Sequence, residues 1–88
     1  MQAETHIASC VAFTRPEATE GVARAIVATG VAEVPRHDGA GRLVVLIEAS
    51  TSARVLDVMD AIRAMPGVLA VHLAYQHAES ESEMQEKP

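Results

Sequence analysis

The side chains able to do chemistry are few and scattered. One cysteine, Cys10, and four histidines, His6, His37, His72 and His77, are the soft and borderline metal ligands of the chain. Cys10 stands alone without a CxxC pair, so a copper-chaperone arrangement is excluded. His72 and His77 lie five residues apart, which puts them on opposite faces of an extended chain. His6 falls at a strand start and His37 in a turn. No zinc spacing results, and no metal or cofactor is expected. A lone cysteine inside an apolar run reads as a small buried hydrophobe. Ser50, Thr51 and Ser52 precede a helical pattern and read as caps before nucleophiles. The HDGAG segment, residues 37–41, precedes a strand where a phosphate cradle would precede a helix. Asp57, Asp60 and Arg63 read as a solvated helix face, with Asp60 and Arg63 spaced for an i,i+3 pair. The expectation is a protein that is not an enzyme.

What could position a site is bounded by size. A chain of 88 residues is one domain, with an expected radius of gyration of roughly 12 Å. Its hydrophobic fraction of 49% and charged fraction of 22% are those of a globular protein. The net charge is −5, and there is one Tyr, one Phe and no Trp. An acidic chain so poor in aromatics is a bad match for nucleic acid. Residues 79–88 carry four glutamates and one lysine, net −3, leaving −2 on the other 78. That composition predicts a single domain over 1–78 and a disordered acidic tail over 79–88. The N-terminus lacks a basic leader, and no apolar run approaches the roughly 20 residues of a membrane span. A cytoplasmic location without membrane insertion is the expectation.

The elements follow from periodicity. HIASCVAF, residues 6–13, reads as a strand. Pro16 suits a first helical turn, and Ala18, Val22, Ala25, Ile26 and Thr29 form a helical stripe ending at Gly30, so a helix is predicted over 16–29. Residues 31–36 form a short strand that Pro35 confines to a sheet edge. RLVVLIEA, residues 42–49, is a central strand. Val55, Met59, Ile62 and Met65, flanked by Leu56 and Val58, define a helix over 52–65 that Pro66-Gly67 stops. VLAVHLAY, residues 68–75, is the last strand. A shift of 36 residues maps the first strand–helix pattern onto the second. Two split βαβ units interleaved by right-handed crossovers give an α+β, ferredoxin-like βαββαβ sandwich. The expected sheet is four-stranded and antiparallel, in the order 4-1-3-2, with two helices on one face.

The other face is then uncovered. Strand alternation, with polar residues marking the side away from the helices, puts Ile7, Ser9 and Val11 on it from the first strand. The third strand contributes Val44, Leu46 and Glu48, and the fourth contributes Ala70, His72 and Ala74. Leu69, Val71 and Leu73 are expected inside. A one-residue slip in the first strand would exchange its two sets. A mainly apolar open face calls for a partner, either a second sheet in a dimer or a docked peptide.

The blocks HIASCVAFTRPE, GRLVVLIEAS and MPGVLAVHLAYQH, in this order and followed by an acidic tail, resemble the NapD family over roughly residues 6–77. The resemblance implies a cytoplasmic assembly chaperone of the periplasmic nitrate reductase. Such a chaperone binds the twin-arginine (Tat) signal peptide of the catalytic subunit NapA and delays export until cofactor insertion is complete. It also implies a monomer with no activity or cofactor of its own. The nine open-face residues become the peptide-binding candidates, with Glu48 as partner for an arginine. The alternative is an ACT-like small-ligand regulatory domain or a dimerisation module.

Overall fold

The computed structural model describes residues 4–80. Strand β1 spans Glu4–Thr14, a 3-10 turn Pro16–Ala18, helix α1 Thr19–Ala28, β2 Ala32–Asp38, β3 Arg42–Ala49, helix α2 Ser52–Arg63 and β4 Val68–Ser80. The strands form one antiparallel sheet ordered β2-β3-β1-β4, which is the predicted 4-1-3-2 read from its other edge.

The core lies between the sheet and both helices. Ala8, Cys10 and Ala12 of β1 and Leu43, Val45 and Ile47 of β3 are fully buried against Ile26 of α1 and Val55 and Ile62 of α2. Burying each large aliphatic side chain contributes about 1.5–3 kcal/mol relative to leaving it exposed. The buried positions of β1 are all small, which lets the helices close over the middle of the sheet. Strand β3 has the predicted bounds because its continuous apolar run has no other stable place than a sheet centre.

The first helix differs from the expected one. Residues 16–18 wind as a tighter 3-10 turn, so α1 begins at Thr19. The change of pitch advances the buried stripe to Thr19, Val22, Ala23 and Ile26, and leaves Ala25 and Thr29 exposed. Thr19 is buried because its hydroxyl lies 3.0 Å from that of Thr14, a pairing that ties the end of β1 to the start of α1. Helix α2 ends at Arg63, two residues before the predicted stop, with Ala64 as its C-cap. Of the three hydroxyl candidates ahead of α2, Thr51 is the cap: its Oγ1 accepts from the Arg54 N–H at 3.0 Å. Thr51→Ala should lower stability by about 1 kcal/mol in urea denaturation, with Ser50→Ala and Ser52→Ala near neutral.

The expected boundary at residue 78 is passed. Strand β4 runs to Ser80, five residues beyond the predicted end at 75, because β1 starts at Glu4 and supplies partners as far as the Glu4–Ser80 pair. The rest of the expected tail, residues 81–88, lies outside the described residues. Thirteen strand residues reach about 43 Å, matching the 45 Å long axis. That length raises the radius of gyration to 13.9 Å, above the expected 12 Å.

Three register shifts interrupt the sheet. On β2, Glu33 faces Leu46 and Arg36 faces Val44, so Val34 and Pro35 together oppose Val45. Pro35 has no N–H to give a ladder, and it sits at this irregularity on an edge strand, as expected of it. On β4 the supernumerary residues are Leu69, between the partners of Phe13 and Thr14, and Ala74, between the partners of Ser9 and Cys10. Part of the expected interior is not buried. Leu69, the bulge residue, is 64% exposed, and Leu73, on the helix side opposite Cys10, is 45% exposed because β4 is the outermost strand. Only Val71 of that trio is buried.

Candidate functional site

The face away from the helices is ordered by the register into four rows, since partners across an antiparallel ladder share a side. The first row is Glu48, Ile7 and His77; the second is Glu33, Leu46, Ser9 and Tyr75. The third is Arg36, Val44, Val11 and His72; the fourth is Asp38, Arg42, Phe13 and Ala70. Successive rows lie two residues apart, so the face is about 20 Å long from first to fourth.

All nine sequence-derived candidates can be placed. Ile7, Ser9, Val11, Val44 and Leu46 form a half-buried central trough, Glu48 is exposed at its end, and Ala70 and His72 sit on the β4 side. Ala74 is the unpaired bulge residue between Leu73 and Tyr75. The nine left out Glu33, Arg36, Phe13, Tyr75 and His77; Phe13 continues the alternation of Ile7, Ser9 and Val11, whereas Tyr75 and His77 depart from that of Ala70, His72 and Ala74. The bulge at Ala74 carries Tyr75 and His77 to the open side, so His72 and His77 share a face where an unbroken strand would have separated them. The shift at Pro35 likewise keeps Arg36 on the same side as Glu33.

The trough is bordered differently on its two long sides. Along β4 run rings: Phe13 packs edge-on against His72 with centroids 5.8 Å apart, and Tyr75 lies 5.2 Å from His77. The one Phe and the one Tyr of the chain therefore both line this face, with Phe13 37% and Tyr75 59% exposed. Along β2 run charges. Asp38 and Arg42 are paired at 3.6 Å. The Asp38 carboxyl is held below its ordinary range, first by the Arg42 backbone N–H, then by the Ala40 N–H and the Arg42 guanidinium. Among the described residues, Glu33 and Glu48 make no ion pair.

Two cavities flank the face. One, of about 450 Å³, has Ile7, Leu46, Val27 and Val31 as apolar walls and Glu33 and Glu48 as its charged groups. The other, of about 410 Å³, lies at the opposite end between Phe13, Leu69, Pro16 and Arg42.

The remaining chemical candidates are dispersed. Cys10 is fully buried under the helices, and burial pushes its thiol pKa up against the weaker opposing pull of Arg63, so it is a poor nucleophile. Among the described residues, no group of three or more His, Cys, Asp or Glu could hold a metal ion. Arg63 does pair with Asp60 at 2.7 Å, and it also donates to the Val71 carbonyl at 3.2 Å. It is therefore a brace between α2 and β4 as well as part of a solvated face. No helix among the described residues is long and apolar enough to cross a membrane.

The protein family described as NapD protein matches residues 5–80. No curated protein sequence matches. The solution structure of the E. coli Tat proofreading chaperone protein NapD superposes with a TM-score of 0.79 at 29% sequence identity, covering 100% of this chain and 92% of that one.

Proposed function

This chain belongs to the NapD family, and we propose that it is an assembly chaperone whose open sheet face binds the twin-arginine signal peptide of the periplasmic nitrate reductase catalytic subunit. Bound there, the peptide is withheld from the export machinery until cofactor insertion is complete. The observation that carries this reading is the trough of Ile7, Val11, Val44 and Leu46, left bare by the helices and bordered at one end by the exposed carboxylates of Glu33 and Glu48. A signal peptide has the matching chemistry: a basic segment followed by an apolar one. The apolar segment covers the trough, and guanidinium groups pair with the carboxylates.

The role is one of binding, on a monomer in the cytoplasm, without catalysis or cofactor. Cys10, the one thiol of the chain, is buried under the helices and away from this face. The test is calorimetry with a synthetic signal peptide carrying the arginine pair, against the same peptide with both arginines replaced by glutamine. Binding of the first and marked weakening of the second are expected. Glu48→Gln should cost the arginine peptide about 1–3 kcal/mol, the loss expected for a charge-assisted pair taken partly out of water. Equal affinity of wild type and variant would remove Glu48 from the site.

A further inference from the structure

We infer that the open face is directional: a bound peptide lies with its basic, N-terminal end over the cavity of Glu33 and Glu48 and its distal apolar end at the cavity of Phe13 and Leu69. This rests on the peptide-binding reading above and adds to it an orientation and a second anchoring point.

The two ends of the face differ in both charge and cavity chemistry. The first two rows carry Glu48 and Glu33 and no cation. The last two carry Arg36 and Arg42 against Asp38, a balance of +1. A chain with arginines at one end therefore gains at the first rows and is repelled at the last. The cavity at the acidic end is shaped for the same group. An arginine places its alkyl stem along Val27, Val31 and Leu46 while its guanidinium meets the two carboxylates. The opposite cavity has Phe13, Leu69 and Pro16 on its walls, and its one carboxylate, Asp38, is already engaged by Arg42. It takes a bulky apolar side chain and leaves no free anion for an arginine.

The peptide backbone adds to the same preference. The roughly 20 Å between first and last rows spans about 13 residues of helix. A helix carries partial positive charge at its N-terminus and partial negative charge at its C-terminus. Laid with its N-terminus at Glu33 and Glu48, it has its C-terminus near Arg36 and Arg42. Side-chain charge, cavity chemistry and helix dipole thus select one direction.

Paramagnetic relaxation on the full chain tests this. A peptide with two adjacent arginines ahead of an apolar segment is spin-labelled at either its N- or its C-terminus. The N-terminal label should broaden the amides of Ile7, Val31 and Glu48; the C-terminal label should broaden those of Ala40, Gly41 and Leu69. Reversal of the two patterns, or equal broadening of both ends by both labels, overturns the direction while leaving the peptide site standing. Broadening confined to the helices, or no binding by calorimetry, overturns the site and the direction together. As a second readout, the E33Q/E48Q pair should weaken the arginine peptide roughly tenfold or more and leave its glutamine-substituted counterpart unchanged. Equal losses for both peptides would show that the two glutamates do not read the arginines.

Discussion

Leu46→Lys should abolish measurable binding of the signal peptide while leaving the protein folded. Leu46 lies at the middle of the trough, between Glu33 on one side and Ser9 on the other, and it also lines the acidic cavity. A lysine there places a charge beneath the apolar segment of the peptide, removes a leucine contact, and draws Glu33 away from the incoming arginine. The three effects act in one direction, for a loss of about 3 kcal/mol, or more than a hundredfold in affinity. A glutamate at the same position would be a poorer test, because a third carboxylate beside Glu33 and Glu48 would attract the arginines it is meant to disturb. Leu46 is half-buried on the uncovered side and takes no part in the helix-covered core, so thermal unfolding should change little. Leu56→Lys, on the exposed side of α2, is the matching control and should bind as wild type. If both variants bind alike, the peptide lies elsewhere on the molecule.

The largest effect on stability is expected at Gly41. Its φ of +103° is a conformation that side chains avoid, and a Cβ there would run into the carbonyl of Thr14. The two residues are already clasped by the Thr14 N–H donating to the Gly41 carbonyl at 2.7 Å. That contact fixes the β2–β3 hairpin against the end of β1, with the buried Thr14–Thr19 hydroxyl pair next to it. Gly41→Ala adds backbone strain to a backbone collision, and should cost about 3 kcal/mol in denaturant unfolding. Gly39→Ala, in open space with an ordinary φ, should be near neutral. Gly30→Ala, strained at φ +79° but free of contacts, should fall between them at about 1 kcal/mol. A Gly41→Ala protein as stable as wild type would mean that the hairpin and β1 move apart freely.

The residues most legible in the sequence are those whose pattern admits one physical solution. Leu43–Ile47 is apolar without a break, and the centre of a sheet accommodates it. In β1, Ser9 among alanines and valines marks the uncovered side, and burial alternates across it as expected. Gly30 and Pro35 have local preferences so restrictive that each could be placed by type, whereas the cap of α2 was narrowed only to Ser50, Thr51 and Ser52. What could not be read was counting. A bulge needs no special residue: nothing in Leu73-Ala74-Tyr75 announces that Ala74 lacks a partner, yet it decides the side on which Tyr75 and His77 stand. Pro35 announced an edge without announcing the shift that brings Arg36 round to Glu33. The 3-10 turn ahead of α1 displaced a helical stripe in the same manner. Arg36 on one rim and Tyr75 and His77 on the other were therefore hidden, while the apolar floor, whose strands β1 and β3 pair without irregularity, was visible.

The placing of β1 between β3 and β4 has a consequence for how the molecule comes into being. This strand is made before both of its neighbours, residues 42–49 and 68–80. During synthesis at roughly 5–20 residues per second, it waits several seconds for its second neighbour. A nascent chain that stops short of Val68 has β1 as a bare edge with Ala8, Cys10 and Ala12 only partly roofed, the kind of edge on which chains adhere to one another. Strand β4 thus closes the sheet, and it completes the four rows of the open face in the same step. The open face and the sheet are finished together: a truncation that took away Ala70–His77 would remove the β4 side of all four rows, whereas loss of residues 78–80 alone would leave the rows in place.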